Sequence, residues 1–226
     1  MPVFAAILVS VGLGAQGAAG GVIFSDDFNA GASPLWGNQV GNWNASGGVY
    51  GAGSPGNFPN AHSTLPFQLA DFSVEVDVVG VADGGIWLRS VEAPGTSVGI
   101  SGVLLVTGAG TTGGTGLYWH IVATGASYGA SLNVVSGLFA SGSSPRIRVE
   151  VVGDTYSAYV NGSTTPATTL VTSAFASGRV GLYDFSNQSF DDFELSAVPE
   201  PSTAIGALLG VGLLAARFLP ARRTRV

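Results

Sequence analysis

The 226-residue chain contains no cysteine, its eight basic residues are all arginine, and only a tenth of its residues are charged. Without cysteine it has no disulfide, thiol nucleophile or thiolate metal ligand, so the fold must rely on packing, hydrogen bonds or other metal ligands. Between residues 20 and 198, thirteen acidic residues outnumber four arginines, which gives a net charge of −9. Because such a surface repels phosphates, no nucleic acid partner is expected.

Long apolar runs are confined to the two ends of the chain. The first, Val3 to Leu13, is followed by small residues as far as Gly20. This layout predicts a secretory signal peptide over residues 1–19, although no arginine precedes the apolar run. The second run, Ala204 to Ala216, predicts a transmembrane helix over about residues 203–219.

Residues 198–226 combine that helix with two further signals. Pro199, Glu200 and Pro201 precede it, and four arginines follow it at positions 217, 222, 223 and 225. The basic end predicts a cytoplasmic C-terminus. The whole segment resembles the PEP-CTERM sorting tail of Gram-negative bacteria. The resemblance implies export, processing by an exosortase near the Pro-Glu-Pro, a transient inner-membrane anchor, and a mature protein at the cell surface or in the medium.

Short strands are predicted throughout residues 20–197. Phe72–Val79 and Arg146–Val152 alternate apolar and polar residues with the period of two that a half-buried strand shows. Glycine is frequent, at 35 residues, and turn residues punctuate the chain about every ten positions. Further strands are predicted at 85–91, 98–107, 117–124, 132–136, 156–160, 179–185 and 190–196. The pattern predicts an all-β, antiparallel jelly-roll sandwich.

Several short segments resemble the concanavalin A-like (laminin G-like) jelly rolls of bacterial surface proteins. They are Ser25–Phe28, Phe72–Asp77, Gly85–Arg89, Tyr156–Gly162 and Phe190–Leu195. The resemblance implies that the first and last strands are neighbours. It also implies a glycan site on the concave sheet and a structural Ca²⁺ near the termini.

Two aspartate pairs are the candidate calcium ligands. Asp26 and Asp27 lie near the first strand, and Asp191 and Asp192 lie in the last. If these strands are adjacent, the pairs converge, and Ca²⁺ prefers such oxygen ligands. The alternative is that these aspartates simply point to solvent at strand edges, where they guard against pairing with the edge of another sheet.

Four residues are predicted to contact glycan: Trp87, Arg89, Tyr118 and His120. Strand alternation places Trp87 and Arg89 on one face of their strand and Tyr118 and His120 on one face of theirs. An aromatic ring beside a guanidinium offers a flat surface and hydrogen-bond donors to a sugar. The alternative is that these aromatic residues pack between strands.

Catalytic motifs are incomplete, and no catalytic residue is predicted. Glu75 and Asp77 resemble the start of the laminarinase-type glucanase motif, but Val79 and Gly80 stand where its second glutamate belongs. A glycosidase needs both carboxylates. The sequence therefore predicts a non-catalytic module that binds exopolysaccharide or another glycan. The alternatives are a structural matrix or adhesion protein without a small ligand and, less favoured, a sugar-active enzyme.

Overall fold

Strand formation follows the alternation of the sequence most closely in the middle of the domain. The computed structural model describes residues 20–198, and the predicted strands Phe72–Val79 and Arg146–Val152 are observed with those bounds. The predicted signal peptide and residues 199–226 of the predicted sorting tail lie outside the described residues. Among residues 20–198, no helix is both long and apolar enough to cross a membrane.

The strands form two antiparallel sheets, consistent with the predicted jelly roll. The eight-stranded sheet contains β1 (Val22–Asp26), β3 (Trp43–Ser46), β4 (Val49–Ala52), β6 (Phe72–Val79), β11 (Arg146–Val152), β12 (Thr155–Val160), β13 (Thr168–Val171) and β15 (Ser189–Ala197). The seven-stranded sheet contains β2 (Gly37–Val40), β5 (His62–Thr64), β7 (Gly84–Glu92), β8 (Ile100–Val106), β9 (Leu117–Val122), β10 (Leu132–Val135) and β14 (Arg179–Asp184). A single helical turn, α1, spans Ala109–Thr112.

Strand order places distant parts of the chain side by side. The first sheet runs β13-β12-β11-β6-β15-β4-β3, and β1 also pairs with β15. The second sheet runs β10-β9-β8-β7-β14-β5-β2. The pairing of β1 with β15 confirms that the first and last strands of the domain are adjacent, with Asp26 opposite Phe193.

The four central strands of the seven-stranded sheet, β7, β8, β9 and β14, divide their side chains between two apolar layers. Ile86 and Leu88 of β7 and Trp119 of β9 belong to the core between the sheets. Trp87 and Tyr118, their immediate neighbours in sequence, belong to a second buried cluster on the outer face of the same sheet. Because successive residues of a strand point to opposite faces, an all-buried strand shows that both faces are covered. The outer face of this sheet is therefore a packed surface rather than an open one.

Candidate functional site

Trp87 lies beneath the outer surface of the seven-stranded sheet. Its side chain is 0% exposed, and its indole Nε1 donates a hydrogen bond to Asn60 Oδ1 at 3.1 Å. A fully covered ring cannot stack on a sugar, so in this structure Trp87 supports the loop above it. The predicted face is correct, but the predicted exposure is wrong.

Arg89 does not share a face with Trp87, and that part of the prediction is wrong. The β7–β8 register shifts between Leu88 and Val91, and Arg89 has a φ of +47°. A bulge of this kind breaks the alternation of the strand and redirects the side chain. The guanidinium is 2% exposed and reaches the core tyrosine Tyr156, over whose ring it lies at 5.3 Å.

The buried guanidinium of Arg89 is held mainly by backbone carbonyls, and it also pairs with Asp71 Oδ1 at 3.4 Å. It donates to the carbonyls of Ala70 at 2.7 and 2.9 Å, Gly153 at 2.7 Å and Phe175 at 2.8 Å. A planar guanidinium satisfies several acceptors at once, which a buried cation requires. Arg89 therefore ties three separate chain segments together and is not available to a ligand.

Tyr118 and His120 share a face, as predicted, and line a small cavity. Their rings meet edge to face, with centroids 5.3 Å apart. The cavity has a volume of about 90 Å³ and lies on the outer face of the seven-stranded sheet. Its lining also includes two further tyrosines, Tyr128 and Tyr183, with Asn57, Asp83, Leu104 and Val106. We call this cavity the tyrosine pocket. A role for Tyr118 and His120 in glycan binding stays a prediction.

Three loops that the sequence analysis did not single out complete the tyrosine pocket. Asn57 comes from the loop between β4 and β5, Asp83 from the loop between β6 and β7, and Tyr128 from the loop between β9 and β10. Tyr128 donates through its hydroxyl toward Asn57, 3.1 Å from the carbonyl oxygen, and Tyr183 donates to Asn57 Oδ1. The one sequence feature that could have pointed to the first of these loops is an aromatic residue, Phe58, inside the polar segment from Gly56 to Asn60.

Phe58 is the exposed aromatic residue at this site. Its side chain is 63% exposed, and its ring meets the ring of Tyr128, a residue of the pocket wall, in a T-shaped contact with centroids 5.6 Å apart. An aromatic face left in water beside hydrogen-bonding groups is a surface on which an apolar sugar face can stack. The arrangement therefore joins a stacking platform to a polar pocket.

Burial sets the protonation of the tyrosine pocket. It lowers the pKa of His120, so this imidazole is neutral at neutral pH. It raises the pKa of Tyr128 to about 12 and also raises the pKa values of Tyr118 and Tyr183, so all three hydroxyls keep their protons. It also raises the pKa of Asp83, while the backbone N–H of Gly110 acts in the opposite direction by stabilising the carboxylate.

A buried His–Glu pair fixes the loop that carries Asn57 and Phe58. His62 Nδ1 lies 2.9 Å from the carbonyl oxygen of Asn60, and Nε2 lies 3.1 Å from Glu92 Oε2. The side chain of Asn60 in turn donates to the Tyr128 hydroxyl at 2.6 Å. A carbonyl only accepts, so His62 donates from Nδ1 to Asn60, and Nε2 faces the carboxylate of Glu92. This chain of contacts holds the pocket wall in place.

The two aspartate pairs approach one another but are already engaged. Asp26 Oδ2 accepts from Ser33 N at 2.8 Å and Trp36 Nε1 at 3.0 Å, and Asp191 Oδ1 accepts from Asp192 N at 2.7 Å. Among residues 20–198, no three acidic or histidine side chains are grouped so as to hold a metal. The four aspartates as placed do not fit a calcium ligand set. Calcium binding stays a prediction.

A groove of about 490 Å³ runs between these aspartates. Asp26, Asp27 and Asp192 line it together with Arg146. The guanidinium of Arg146 contacts Glu75 Oε1 at 2.8 Å and Asp77 Oδ1 at 2.9 Å. Glu75 and Asp77 therefore form an ion-pair network with Arg146 on the outer face of the eight-stranded sheet.

Comparison with known proteins supports the fold. No protein-family model matches the chain, and no curated protein matches it. Many solved structures resemble it, among them three from Bacillus species. The carbohydrate-binding module CBM66 of Bacillus subtilis is 16% identical, with a TM-score of 0.59 over 72% of this chain and 96% of that one. A Bacillus subtilis protein of unknown function with a galectin-like fold is 10% identical, with a TM-score of 0.59 over 82% and 100%.

The third structure is the Bacillus licheniformis β-glucanase, which is 14% identical, with a TM-score of 0.51 over 79% of this chain and 98% of that one. At these identities the likeness concerns the fold alone. The chain has a galectin-like, concanavalin A-like jelly-roll fold, which occurs in both binding modules and glycosidases.

Proposed function

We propose that residues 20–198 form a non-catalytic carbohydrate-binding module whose site is the tyrosine pocket with Phe58 at its rim. The observation that carries the proposal is the pairing of an exposed aromatic ring with a pocket of neutral hydroxyls, an amide and a carboxylate. A sugar ring packs its apolar face on Phe58, and one of its hydroxyl-bearing substituents enters the pocket. The volume of about 90 Å³ suits such a substituent rather than a whole saccharide.

Two observations favour binding over catalysis and over a passive spacer. Among the described residues that line the tyrosine pocket, Asp83 is the one carboxylate, whereas glycoside hydrolysis requires two. The face is also rich in aromatic and amide groups rather than in serine and threonine. The neighbour CBM66 carries the name of a carbohydrate-binding module, which agrees with this choice.

Glycan-array binding followed by affinity gels containing purified exopolysaccharide tests the proposal. We expect Phe58→Ala to weaken binding about three- to tenfold, the value of one aromatic contact, with an unchanged melting temperature. Tyr159→Ala is the matched control, because Tyr159 is an aromatic residue of the eight-stranded sheet, stacked at 3.9 Å on the guanidinium of Arg148. Equal binding by wild type and Phe58→Ala would remove Phe58 from the site. Absence of binding to every glycan would favour the matrix or adhesion role.

We propose in addition that the module works outside the cytosol. The Pro199–Pro201 signal, the apolar run and the basic end support exosortase processing and a transient inner-membrane anchor. Fractionating cells with and without the exosortase tests this. The expected result is a shorter protein at the surface or in the medium only when the exosortase is present. An identical size and location in both strains would contradict it.

A further inference from the structure

We propose that Asp83 makes the tyrosine pocket selective for neutral glycans and excludes sugars that carry carboxylate, sulfate or phosphate groups. This inference rests on the proposed glycan-binding function and adds the class of ligand. It follows from the charges, contacts and space around one side chain.

Asp83 lies at the centre of the ionisable groups of the pocket. It lines the pocket together with Tyr118, Tyr128 and Tyr183, whose pKa values are raised by burial first and by the charge of Asp83 in addition. The tyrosines are neutral, and His120 is neutral as well. Asp83 is the one acidic residue among the described lining residues, so its carboxylate, when ionised, is the single negative charge of the pocket.

No guanidinium of the described chain offsets that charge, since none of the four arginines lines the pocket. Arg89 is bound by backbone carbonyls, Arg146 pairs with Glu75 and Asp77, and Arg148 pairs with Glu150. An anionic sugar entering the pocket would thus meet a like charge with no counter-ion. Like charges in an interface are strongly unfavourable and exclude the wrong partner.

The carboxylate of Asp83 also has unused capacity to accept hydrogen bonds. An ionised carboxylate can accept about four, and Asp83 accepts from the backbone N–H of Gly110. Sugar hydroxyls are donors and can fill the remaining positions. Charged acceptors form stronger hydrogen bonds than neutral ones, so the same group that repels anions attracts hydroxyls.

The absence of a side chain at Gly108 makes room for the carboxylate of Asp83 in this position. A Cβ at Gly108 would lie 2.6 Å from Asp83 Oδ1, and one at Gly110 would lie 3.8 Å from Oδ2 and 4.0 Å from the Tyr118 hydroxyl. A side chain at Gly108 would displace Asp83. The backbone around α1 therefore approaches Asp83 closely, and Gly108 is the position that permits this approach.

Affinity measurements on two oligosaccharide sets test the inference. One set contains neutral hexose oligosaccharides, and the other contains glucuronate and galacturonate oligosaccharides of equal length. We expect the wild-type protein to prefer neutral ligands at least about tenfold. Asp83→Asn, which keeps the size of the side chain and removes its charge, should narrow that ratio to within about threefold.

Asp154→Asn is the matched control, because it removes the same charge from an exposed turn between β11 and β12 of the other sheet. It should leave the ratio unchanged. If Asp83→Asn fails to fold, a salt series on the wild type replaces it, since high ionic strength should weaken the discrimination against anions.

Equal affinity for neutral and uronate ligands, or a preference for uronates, would overturn the inference while leaving the glycan-binding function intact. Failure to bind any member of either set would instead overturn the proposed function, and the inference with it.

Discussion

Replacing Arg89 by alanine should destabilise the domain without acting through the ligand site. The guanidinium links the loops at Ala70, Gly153 and Phe175 through four hydrogen bonds of 2.7–2.9 Å. Hydrogen bonds to a charged group are each worth about 1.5–3 kcal/mol, but they are not additive. These carbonyls also belong to half-buried or exposed residues, so water can replace part of the loss. We expect a decrease of about 3 kcal/mol in the free energy of unfolding.

Urea denaturation followed by tryptophan fluorescence measures this change. Arg148→Ala is the matched control, since Arg148 pairs with Glu150 at the surface and should cost less than about 1 kcal/mol. Arg89→Lys should lie between the two, because one ammonium cannot reach three separated carbonyls.

A cost of less than about 1 kcal/mol for Arg89→Ala would refute the reasoning. Loss of glycan binding by a fully stable Arg89→Ala would instead favour the original prediction that Arg89 contacts the ligand.

Three further predictions concern the aspartates. Asp26→Ala should lower the free energy of unfolding by about 2 kcal/mol, because the N–H groups of Ser33 and Trp36 lose their acceptor. The control is Asp27→Ala, whose carboxylate is exposed, and thermal melting of the two variants measures the difference. Equal melting temperatures would contradict the prediction. Burial raises the pKa of Asp184 to about 6, so the folded state holds this proton more tightly than the unfolded state and stability is lost as pH rises from about 4 to about 6. Relative to Asp184→Asn, the wild type should therefore lose about 3 kcal/mol between pH 4 and pH 7 in urea titrations, and parallel pH profiles would contradict this. A calcium site at the two aspartate pairs would raise the melting temperature in Ca²⁺ over that in chelator, and identical melting curves would remove that prediction.

The strands that the sequence predicted best are those with long, uninterrupted alternation. Phe72–Val79 and Arg146–Val152 have one face in the core and one in solvent, so their pattern identifies both the element and its orientation. β2, β3, β4, β5 and β13 are three or four residues long, too short for alternation to distinguish them from loops. Their positions follow from pairing with distant strands, which the local sequence does not encode.

The sequence predicted only those residues of the candidate site that lie on a regular strand. Tyr118 and His120 lie on a regular strand, and their shared face follows from the period of two. Arg89 follows a register shift, and a local pattern does not indicate where a bulge occurs. Asn57, Phe58 and Tyr128 lie in loops, where side-chain direction depends on tertiary contacts such as the His62–Glu92 pair.

The hydrogen bond from Ala197 N to Gly21 O, 3.0 Å long, brings the two ends of the folded domain together. A pulling force applied between those ends would separate β1 from β15 starting at the termini, breaking their hydrogen bonds one after another. If the force ran instead from a bound polymer to the C-terminal end alone, β1 would carry none of it, and β15, held by β6 along most of its length, would bear the strain. The same proximity means that the domain can be inserted into a loop of another protein, or joined end to end by a short linker, with little change to its fold.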